Sequence, residues 1–245
     1  MHPDWIVPDW PAPPHVRAVI TTRSGGVSVG PYASFNLGRS TGDDAQAVAE
    51  NRARLRALLP QEPRWLTQVH GARVLRGEEV SDFPEADASV AVERGTVCAI
   101  QVADCLPILF TDRSGTVVAA AHAGWRGLAG GVIDNTIGAI TSTGVAPRDV
   151  LAYIGPGIGP GAFEVGEDVY RAFAERDADA AAAFTPRTSG TWLGDLPTLA
   201  RRALVRCGVA DIYGGDLCTY SDPARFYSYR RDKTTGRMGA FIWRE

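Results

Sequence analysis

This 245-residue chain is poor in lysine, histidine and cysteine, and each shortage narrows the functions open to it. Lys233 is its only lysine, so arginine carries nearly all of the positive charge. The four cysteines form no Cys-x-x-Cys pair, which excludes the compact zinc and dithiol redox motifs built on that spacing. Of the four histidines, His2 and His15 lie in the N-terminal segment, which leaves His70 and His122 for chemistry.

The sequence also shows no long apolar run, no signal-peptide pattern and no strong net charge. No stretch is apolar for long enough to span a bilayer. Residues 1–14 are rich in Pro, Asp and Trp and have neither the basic nor the apolar region of a signal peptide. A net charge of −3 gives no basic footprint for nucleic acid or an anionic membrane. We therefore expect a cytoplasmic protein with reduced cysteines that binds neither nucleic acid nor membrane; its sequence is compatible with a monomer.

Apolar periodicity predicts one α/β domain over residues 1–245, with an extended segment at 1–14. Strands are predicted where β-branched and apolar residues run together, and helices where apolar residues recur on one face. Residues 96–121 form a dense apolar block, which predicts neighbouring strands buried on both faces. The predicted strands are 16–22, 65–70, 72–76, 97–102, 106–110, 117–121, 150–154, 225–229 and 238–243, and the predicted helices are 43–59, 127–143, 166–175 and 196–207.

Three potential metal ligands lie at the ends of predicted strands. His70 follows Gln68-Val69, Cys105 lies in Ala103-Asp104-Cys105-Leu106-Pro107, and His122 begins His122-Ala123-Gly124-Trp125-Arg126-Gly127. Two imidazoles and a thiolate leave one position of a tetrahedral zinc open, which is typical of a catalytic zinc site. Such an ion lowers the pKa of bound water towards about 7.

The spacing of these ligands is also compatible with ordinary buried residues. The three side chains are dispersed along the chain and match no compact zinc pattern. A single cysteine in an apolar strand is usually a small buried hydrophobe. We expect Asp104, beside the thiol, to orient a neighbouring loop rather than to bind metal.

Two features of the sequence could hold a phosphate. A helix beginning at Gly127 would present free amides and a positive dipole, and Arg126 would add a forked donor. Arg230-Arg231, at a predicted strand end, could bind an anion or form a solvated rim. The glycine-rich run 155–161 fits neither the dinucleotide-binding nor the P-loop pattern, and its prolines lack N–H donors. A rigid structural turn is expected there.

Together the motifs resemble the laccase-domain family, members of which are called multicopper polyphenol oxidases and were later assigned as purine nucleoside phosphorylases. The resemblance implies a single-domain α-β-β-α layered sandwich of the cytotoxic-necrotizing-factor type. It implies zinc, with copper as an alternative, on His70, Cys105 and His122, which would also be the catalytic residues. The resemblance covers nearly the whole chain, in the segments 21–28, 34–38, 68–71, 103–107, 122–127, 155–166 and 228–237.

The resemblance also implies substrates and contact residues. It implies phosphorolysis of adenosine, inosine and S-methyl-5′-thioadenosine, and hydrolytic deamination of adenosine. Many relatives carry cysteines where this chain has Gly161-Ala162, so those thiols are not essential here. The residues expected to contact nucleoside or phosphate are Arg23, Asn36, Gln68, Asp104, Arg126, Glu164 and Arg230.

Several functions compete with zinc-dependent phosphorolysis. The H-x-E and P-C-x-x-C signature of zinc deaminases is absent, so deamination needs another acid or base, for which Glu164 and Asp104 are guesses. Four histidines are too few for a blue-copper centre and a further copper cluster, which disfavours a polyphenol oxidase. A hydrolase with Cys105 as nucleophile and His122 or His70 as base is the second choice. The resemblance also links bacterial relatives to the editing of peptidoglycan precursors, an amide hydrolysis compatible with either mechanism. A non-enzymatic binding module ranks third.

Overall fold

The long apolar strands predicted from the sequence are present, together with short ones that the sequence did not reveal. The computed structural model describes residues 1–188 and 190–245. The strands are β1 (Val16–Ile20), β2 (Val74–Arg76), β3 (Ala88–Ala91), β4 (Cys98–Val102), β5 (Leu106–Asp112), β6 (Val118–Ala123), β7 (Val150–Ile154), β8 (Glu164–Gly166), β9 (Phe184–Pro186), β10 (Thr191–Gly194), β11 (Asp211–Gly214) and β12 (Met238–Arg244). The helices are α1 (Ala45–Arg56), α2 (Trp125–Gly130), α3 (Val132–Thr141), α4 (Glu167–Ala174), α5 (Leu196–Arg206) and α6 (Tyr229–Asp232).

Three sheets form from these strands. The largest has the order β11-β7-β5-β6-β3-β2, with β5 antiparallel to both β6 and β7. A second, antiparallel sheet has the order β1-β12-β4, and a small third sheet has the order β8-β10-β9. Every residue of β5 and β6 is buried, which confirms for these two strands the prediction that the apolar block is covered on both faces, and every residue of β7 is buried as well.

Alternation along β5 divides the interior between two cores. Ile108 and Phe110 pack with Ile133 and Ile137 of α3 on one face of the large sheet. Leu109, on the other face, packs in a core formed with the second sheet. A third core lies on the outer face of the second sheet, where α1 packs. Its buried residues include Leu55, Val19, Val97 and Phe241.

In the structure, one long predicted helix is replaced by two shorter helices. The prediction of a helix over 127–143 is wrong at its start and middle, because α2 begins at Trp125 and the chain turns at Gly131 before α3. Gly131 has a φ of 89°, a left-handed conformation that glycine adopts without the steric cost of a side chain. The first helix therefore leads away from the end of β6, and the second returns along the sheet.

Two other predicted strands are wrong. Residues 65–70 form only an isolated bridge, between Thr67 and Glu85. The Gln68 side chain donates to the Gln101 carbonyl and accepts the Gln101 N–H, in place of strand pairing by the backbone. His70 has a φ of 61°, which a strand does not allow. Residues 225–229 bury Phe226 but form no strand, since Ser228 caps α6. Within the large apolar block, β4 belongs to the second sheet rather than beside β5.

The architecture agrees with the predicted class at the coarse level. Helices and strands form a mixed α/β single-domain fold. In the N-terminal segment, Ile6 makes an isolated bridge with Ile20 of β1. Among the described residues, no helix combines the length and the apolar content needed to cross a membrane.

Candidate metal centre

The three predicted ligands converge at the place where the chain crosses between the two main sheets. Cys105 lies between β4 of the second sheet and β5 of the large sheet, and His122 lies in β6 opposite Pro107 of β5. His70 approaches from the loop before β2, with its ring centroid 4.8 Å from that of His122. The potential ligand atoms of the three side chains all lie within 4.8 Å of one another. Tertiary structure thus brings together residues that are far apart in the sequence.

The spacing and chemistry of these donors fit a transition metal such as zinc. Donor atoms that share a tetrahedral zinc lie about 3.5 Å apart, so side-chain adjustments of about 1 Å suffice here. A side chain on Gly124 would occupy this space, because its Cβ would lie 2.8 Å from Cys105 Sγ and 3.2 Å from His70 Cδ2. His122 is buried, Cys105 is partly buried and His70 is exposed, so the cluster opens to solvent on one side.

A fully buried aspartate that sequence reasoning missed fixes both histidines. Asp87 Oδ1 lies 2.8 Å from His122 Nδ1, so only Nε2 of that ring remains for a metal. The same carboxylate accepts backbone N–H groups from His70 at 2.9 Å and Gly71 at 2.7 Å. Carboxylates that hold metal-binding imidazoles in this way set the tautomer and orientation of the ring. The sequence signal that could have revealed Asp87 was its position directly before a short apolar run. That run is β3, which was not among the predicted strands.

The electrostatics of the cluster favour a thiolate. Burial raises the pKa of the Cys105 thiol, but the neighbouring His122 and His70 rings outweigh it and bring the pKa to about 6. Burial lowers the pKa of His122, but the Cys105 thiolate and Asp87 together raise it to about 9. Thiolate is the form of cysteine that binds metal and attacks electrophiles. By contrast, burial raises the pKa of Cys98 to about 12, so that thiol is inert.

Asp104 orients neighbouring loops, as its position beside the thiol predicted. It has a φ of 90°, and its carboxylate accepts the Thr219 hydroxyl and the Arg230 backbone N–H, each at 2.6 Å. The Asp104 carbonyl accepts the backbone N–H of Ile158. Three distant segments of the chain are thereby held next to Cys105.

Three other predicted contact residues use their polar groups within the fold. Arg23 donates to the carbonyls of Ala33 and Pro223, and Gln68 is paired with the backbone of β4. Asn36 is fully buried and holds its own loop, and it also accepts the backbone N–H of Arg237 at 2.8 Å. Their polar groups therefore hold loops and β4 in place.

The remaining predicted residues lie nearer the surface. Arg126 is exposed, with its guanidinium 4.4 Å from the Trp125 ring centroid, and it is the second residue of α2 rather than its N-terminal neighbour. The Glu164 carboxylate is exposed and lies 3.5 Å from Arg187. Arg230 donates a guanidinium N–H to the Glu164 carbonyl. Glu164 and Arg230 are thus brought together.

The glycine-rich run 155–161 is a turn whose amides are used internally. The N–H groups of Gly155 and Gly157 donate to carbonyls of Pro107 and Leu217. The Gly159 N–H lies 3.2 Å from Cys218 Sγ. These contacts agree with the predicted structural turn.

Known proteins resemble this chain over nearly its full length. The family model described as multi-copper polyphenol oxidoreductase laccase matches residues 17–245. A purine nucleoside phosphorylase of Pseudomonas aeruginosa is 52% identical over 240 residues, which are 98% of each chain. The purine nucleoside phosphorylase YfiH of Escherichia coli K12 is 52% identical over 97% of this chain and 98% of its own.

Solved structures share the fold as well. A Neisseria meningitidis protein superposes with a TM-score of 0.94 at 48% identity, over 99% of both chains. YlmD of Geobacillus stearothermophilus superposes with a TM-score of 0.87 at 37% identity, over 95% of this chain and 93% of its own.

Proposed function

Because the chain belongs to the multi-copper polyphenol oxidoreductase laccase family, in which its relatives from P. aeruginosa and E. coli are named purine nucleoside phosphorylases, we propose that it is a metal-dependent purine nucleoside phosphorylase. The observation that carries the proposal is the convergence of His70, Cys105 and His122 within 4.8 Å. The substrates are purine nucleosides, namely adenosine, inosine and S-methyl-5′-thioadenosine, together with inorganic phosphate. The metal is zinc, with copper as the alternative.

Phosphorolysis exchanges one bond at the ribose for another. A phosphate oxygen bonds to C1′ while the bond from C1′ to the purine nitrogen breaks. The purine leaves with the bonding electrons and takes up a proton, which gives ribose 1-phosphate and the free base. When bound, a metal ion would supply a Lewis acid and a lowered pKa for water.

The protein's own residues organise this centre. His70, Cys105 and His122 would hold the metal, while Asp87 keeps a proton on His122 Nδ1 and directs Nε2 towards the other two donors. Asp104 fixes the segments carrying Thr219 and Arg230 beside Cys105. The side chains of Glu164 and Arg230 extend this wall for substrate contacts.

Hydrolytic deamination of adenosine is part of the proposal. Water adds its oxygen to C6 of the purine, the C6–N bond breaks, and ammonia leaves to give inosine. Both oxygens of Asp104 already accept hydrogen bonds, whereas the Glu164 carboxylate is exposed. Glu164 is therefore the better of the two candidates for proton transfer.

The test combines metal analysis with product analysis. Protein purified without added metal is analysed for its elements, and adenosine is incubated with and without phosphate before chromatography. We expect about one zinc ion per chain, adenine and ribose 1-phosphate only with phosphate, and inosine in both samples. Substitution His122→Ala should remove both metal and turnover. Full turnover in a metal-free His122→Ala protein would contradict the proposal.

A cysteine hydrolase remains the alternative, because the geometry favours it in one respect. Cys105, His122 and Asp87 have the order of a nucleophile, a base and the group that orients the base. This arrangement suits amide hydrolysis in peptidoglycan precursors. The alternative predicts metal-free active protein and a covalent adduct on Cys105 during turnover, whereas a binding module predicts that Cys105→Ala changes neither metal content nor activity.

The finer description of the fold belongs to the same proposal. Cores on both faces of the large sheet, and a third beneath α1, support an α-β-β-α layered sandwich spanning residues 1–245. The proposal also places the protein in the cytoplasm, with its cysteines reduced, where it would act on polar nucleoside substrates. All four cysteines are free thiols.

A further inference from the structure

The metal centre is bordered by an arginine that the candidate contact residues do not include. Arg237 is the residue before β12, and the pairing of Met238 with Val102 places it beside residues 103–105, which follow β4 and include Cys105. Its guanidinium carbon lies 6.0 Å from the ring centroid of the exposed Tyr229. The guanidinium thus lies between the Cys105 loop and α6, near enough to the Cys105 thiolate for the two charges to interact.

The backbone of Arg237 is held firmly. Its N–H donates to Asn36 Oδ1 at 2.8 Å, and its carbonyl accepts the N–H of Leu37 at 3.1 Å. The side-chain stem runs over Gly38, where an added Cβ would come within 2.8 Å of Arg237 Cγ. A buried asparagine and an adjacent glycine therefore aim this side chain before any ligand arrives.

Half of the guanidinium is left without a protein partner. Nη1 donates to the carbonyls of Thr235 at 3.2 Å and Gly236 at 2.9 Å. Across residues 1–188 and 190–245, Nε and Nη2 of Arg237 take part in no hydrogen bond and no ion pair. These two nitrogens form one edge of the guanidinium, the edge that binds two oxygens of one oxyanion side by side.

The other arginines near the centre are less available. Arg231 donates to the carbonyls of Thr219, Tyr220 and Phe226 and also pairs with Asp232. Arg230 uses only Nη1, on the Glu164 carbonyl, and its guanidinium carbon lies over the Phe163 ring, 5.3 Å from the centroid. Arg237 differs from both because it combines a free edge with a charge that the Cys105 thiolate stabilises.

The charges around Arg237 agree with this position. Burial lowers the pKa of its guanidinium, and the Cys105 thiolate acts most strongly in the opposite direction, followed by Asp104. The Asp104 carboxylate is already satisfied by Thr219 and the Arg230 backbone. A divalent ion held by one thiolate and two neutral imidazoles would keep one positive charge, which the Asp87 carboxylate on His122 balances, so Arg237 itself would supply the positive charge that attracts an anion.

We propose that the Nε–Nη2 edge of Arg237 binds the inorganic phosphate co-substrate beside the metal centre. This inference rests on the proposed phosphorylase activity. Held there, the phosphate stands next to the open side of the cluster, with its remaining oxygens free to reach C1′ of the nucleoside. Arg237 is thus a substrate-binding residue of the same site.

The test uses the metal-loaded full chain and separates phosphate from nucleoside. Arg237→Gln removes the charge and the fork, and Arg237→Lys keeps only the charge. Arg225→Gln is the matched control, since Arg225 lies on the same C-terminal stretch and stacks 5.0 Å from the Phe226 ring centroid. Steady-state phosphorolysis of inosine gives both KM values, and calorimetry with inorganic phosphate alone gives the Kd.

We expect Arg237→Gln to raise the KM and Kd for phosphate by about tenfold or more, because it loses a charge-assisted bidentate contact. The KM for inosine and the metal content should stay within about twofold of the wild type, and Arg225→Gln should match the wild type. An unchanged phosphate Kd in Arg237→Gln, or equal increases in both KM values, would overturn the inference. If that variant fails to fold, an unchanged phosphate Kd in Arg237→Lys overturns it instead.

The two proposals fail in different ways. A wild-type protein that binds phosphate through Arg237 but does not cleave inosine contradicts the phosphorylase and leaves an Arg237-dependent anion site. A wild-type protein that cleaves inosine with an Arg237-independent phosphate KM keeps the phosphorylase and removes Arg237 from it.

Discussion

At the scale of single residues, the centre depends on hydrogen bonds that hold its ligands in place. The imidazole of His122 is fixed by Asp87, and the backbone of His70 is clamped in a left-handed conformation by the same carboxylate. One buried side chain thus sets two of three donors. Asp87 pre-organises the site, because it would influence a bound metal only through the histidines that it holds.

Asp87→Asn should weaken metal binding by about 10- to 100-fold, the usual effect of removing a carboxylate that orients a metal-binding histidine. The amide cannot accept from His122 Nδ1 and from the backbone N–H groups of Val69, His70 and Gly71 with equal strength. Competition with a chelator of known affinity measures the change. Asp112→Asn is the control, since Asp112 is also buried and accepts several amides, but at the opposite end of β5. Equal metal loss in both variants would contradict the role of Asp87.

At the scale of secondary-structure elements, turns with special conformations decide where each element points. Gly131 separates α2 from α3, so the chain leaves His122 and Gly124 along one helix and packs back against the sheet along another. Glu78 also fixes the direction of the chain, in this case through hydrogen bonds to the segment that follows β3. Its carboxylate accepts the backbone N–H of Val92 at 2.6 Å and of Glu93 at 2.9 Å, directly after β3.

Gly131→Ala should destabilise the protein by about 1 kcal/mol, because an alanine at a φ of 89° is strained. Gly138→Ala is the matched control in α3, where an added Cβ meets no atom within 4 Å. It should stabilise the protein by about 0.5–1 kcal/mol. Urea unfolding measures both changes, and a shift of the same sign in the two variants would disprove this account.

Glu78→Gln should cost about 1 kcal/mol of unfolding free energy at pH 7, since hydrogen bonds to a charged acceptor are stronger than neutral ones. Burial raises the pKa of Glu78, but the N–H groups of Glu93 and Val92 outweigh it, so the pKa is lowered in the folded protein. This stabilisation is present above the unfolded-state pKa of about 4.3 and is lost as the pH falls through the folded-state value.

Urea unfolding of the wild type and of Glu78→Gln at pH 7 and below pH 4 checks this dependence. The difference between the two proteins should shrink on acidification. Glu50→Gln, which breaks a solvent-exposed pair with Arg54, should show a difference near zero at both pH values. A Glu78→Gln difference that is independent of pH would rule out the charge of Glu78 as its cause.

At the scale of the whole molecule, the centre joins parts of the chain that otherwise belong to different layers. Its ligands come from a surface loop, from the crossing between the two main sheets, and from the large sheet itself. An ion bound to all three would hold the two sheets and the loop together. Metal binding should therefore be coupled to global stability.

Removal of metal with a chelator should lower the Tm of the wild type by about 5–10 °C, if the ion is present at about 100 times its Kd. Differential scanning calorimetry measures the shift. Cys105→Ser should have a lower Tm that no longer responds to the chelator. Cys98→Ser, a buried thiol away from the cluster, should keep the response. A chelator effect that persists in Cys105→Ser would place the ion elsewhere.

The long buried strands and the three ligand residues can be predicted from the sequence alone. Strands β5, β6, β7 and β12 follow from apolar runs, because burial on both faces demands nearly continuous apolar residues, and β1 follows from its β-branched residues. Histidine and cysteine are scarce enough in this chain that His70, Cys105 and His122 could be singled out. Their scarcity and chemistry are local properties, visible without coordinates.

How these pieces meet depends on contacts between segments that are distant in the sequence. Asp87 and Arg237 look like ordinary charged residues in the sequence, and their importance comes from neighbours far away in the chain. The short strands β3 and β11 are stabilised by pairing with longer neighbours rather than by their own composition. The separation of β4 from β5 likewise depends on which partner each strand finds, and β4 pairs with β12 at the far end of the chain. Hydrogen bonds between distant segments carry no signature in local sequence, and these bonds build the centre.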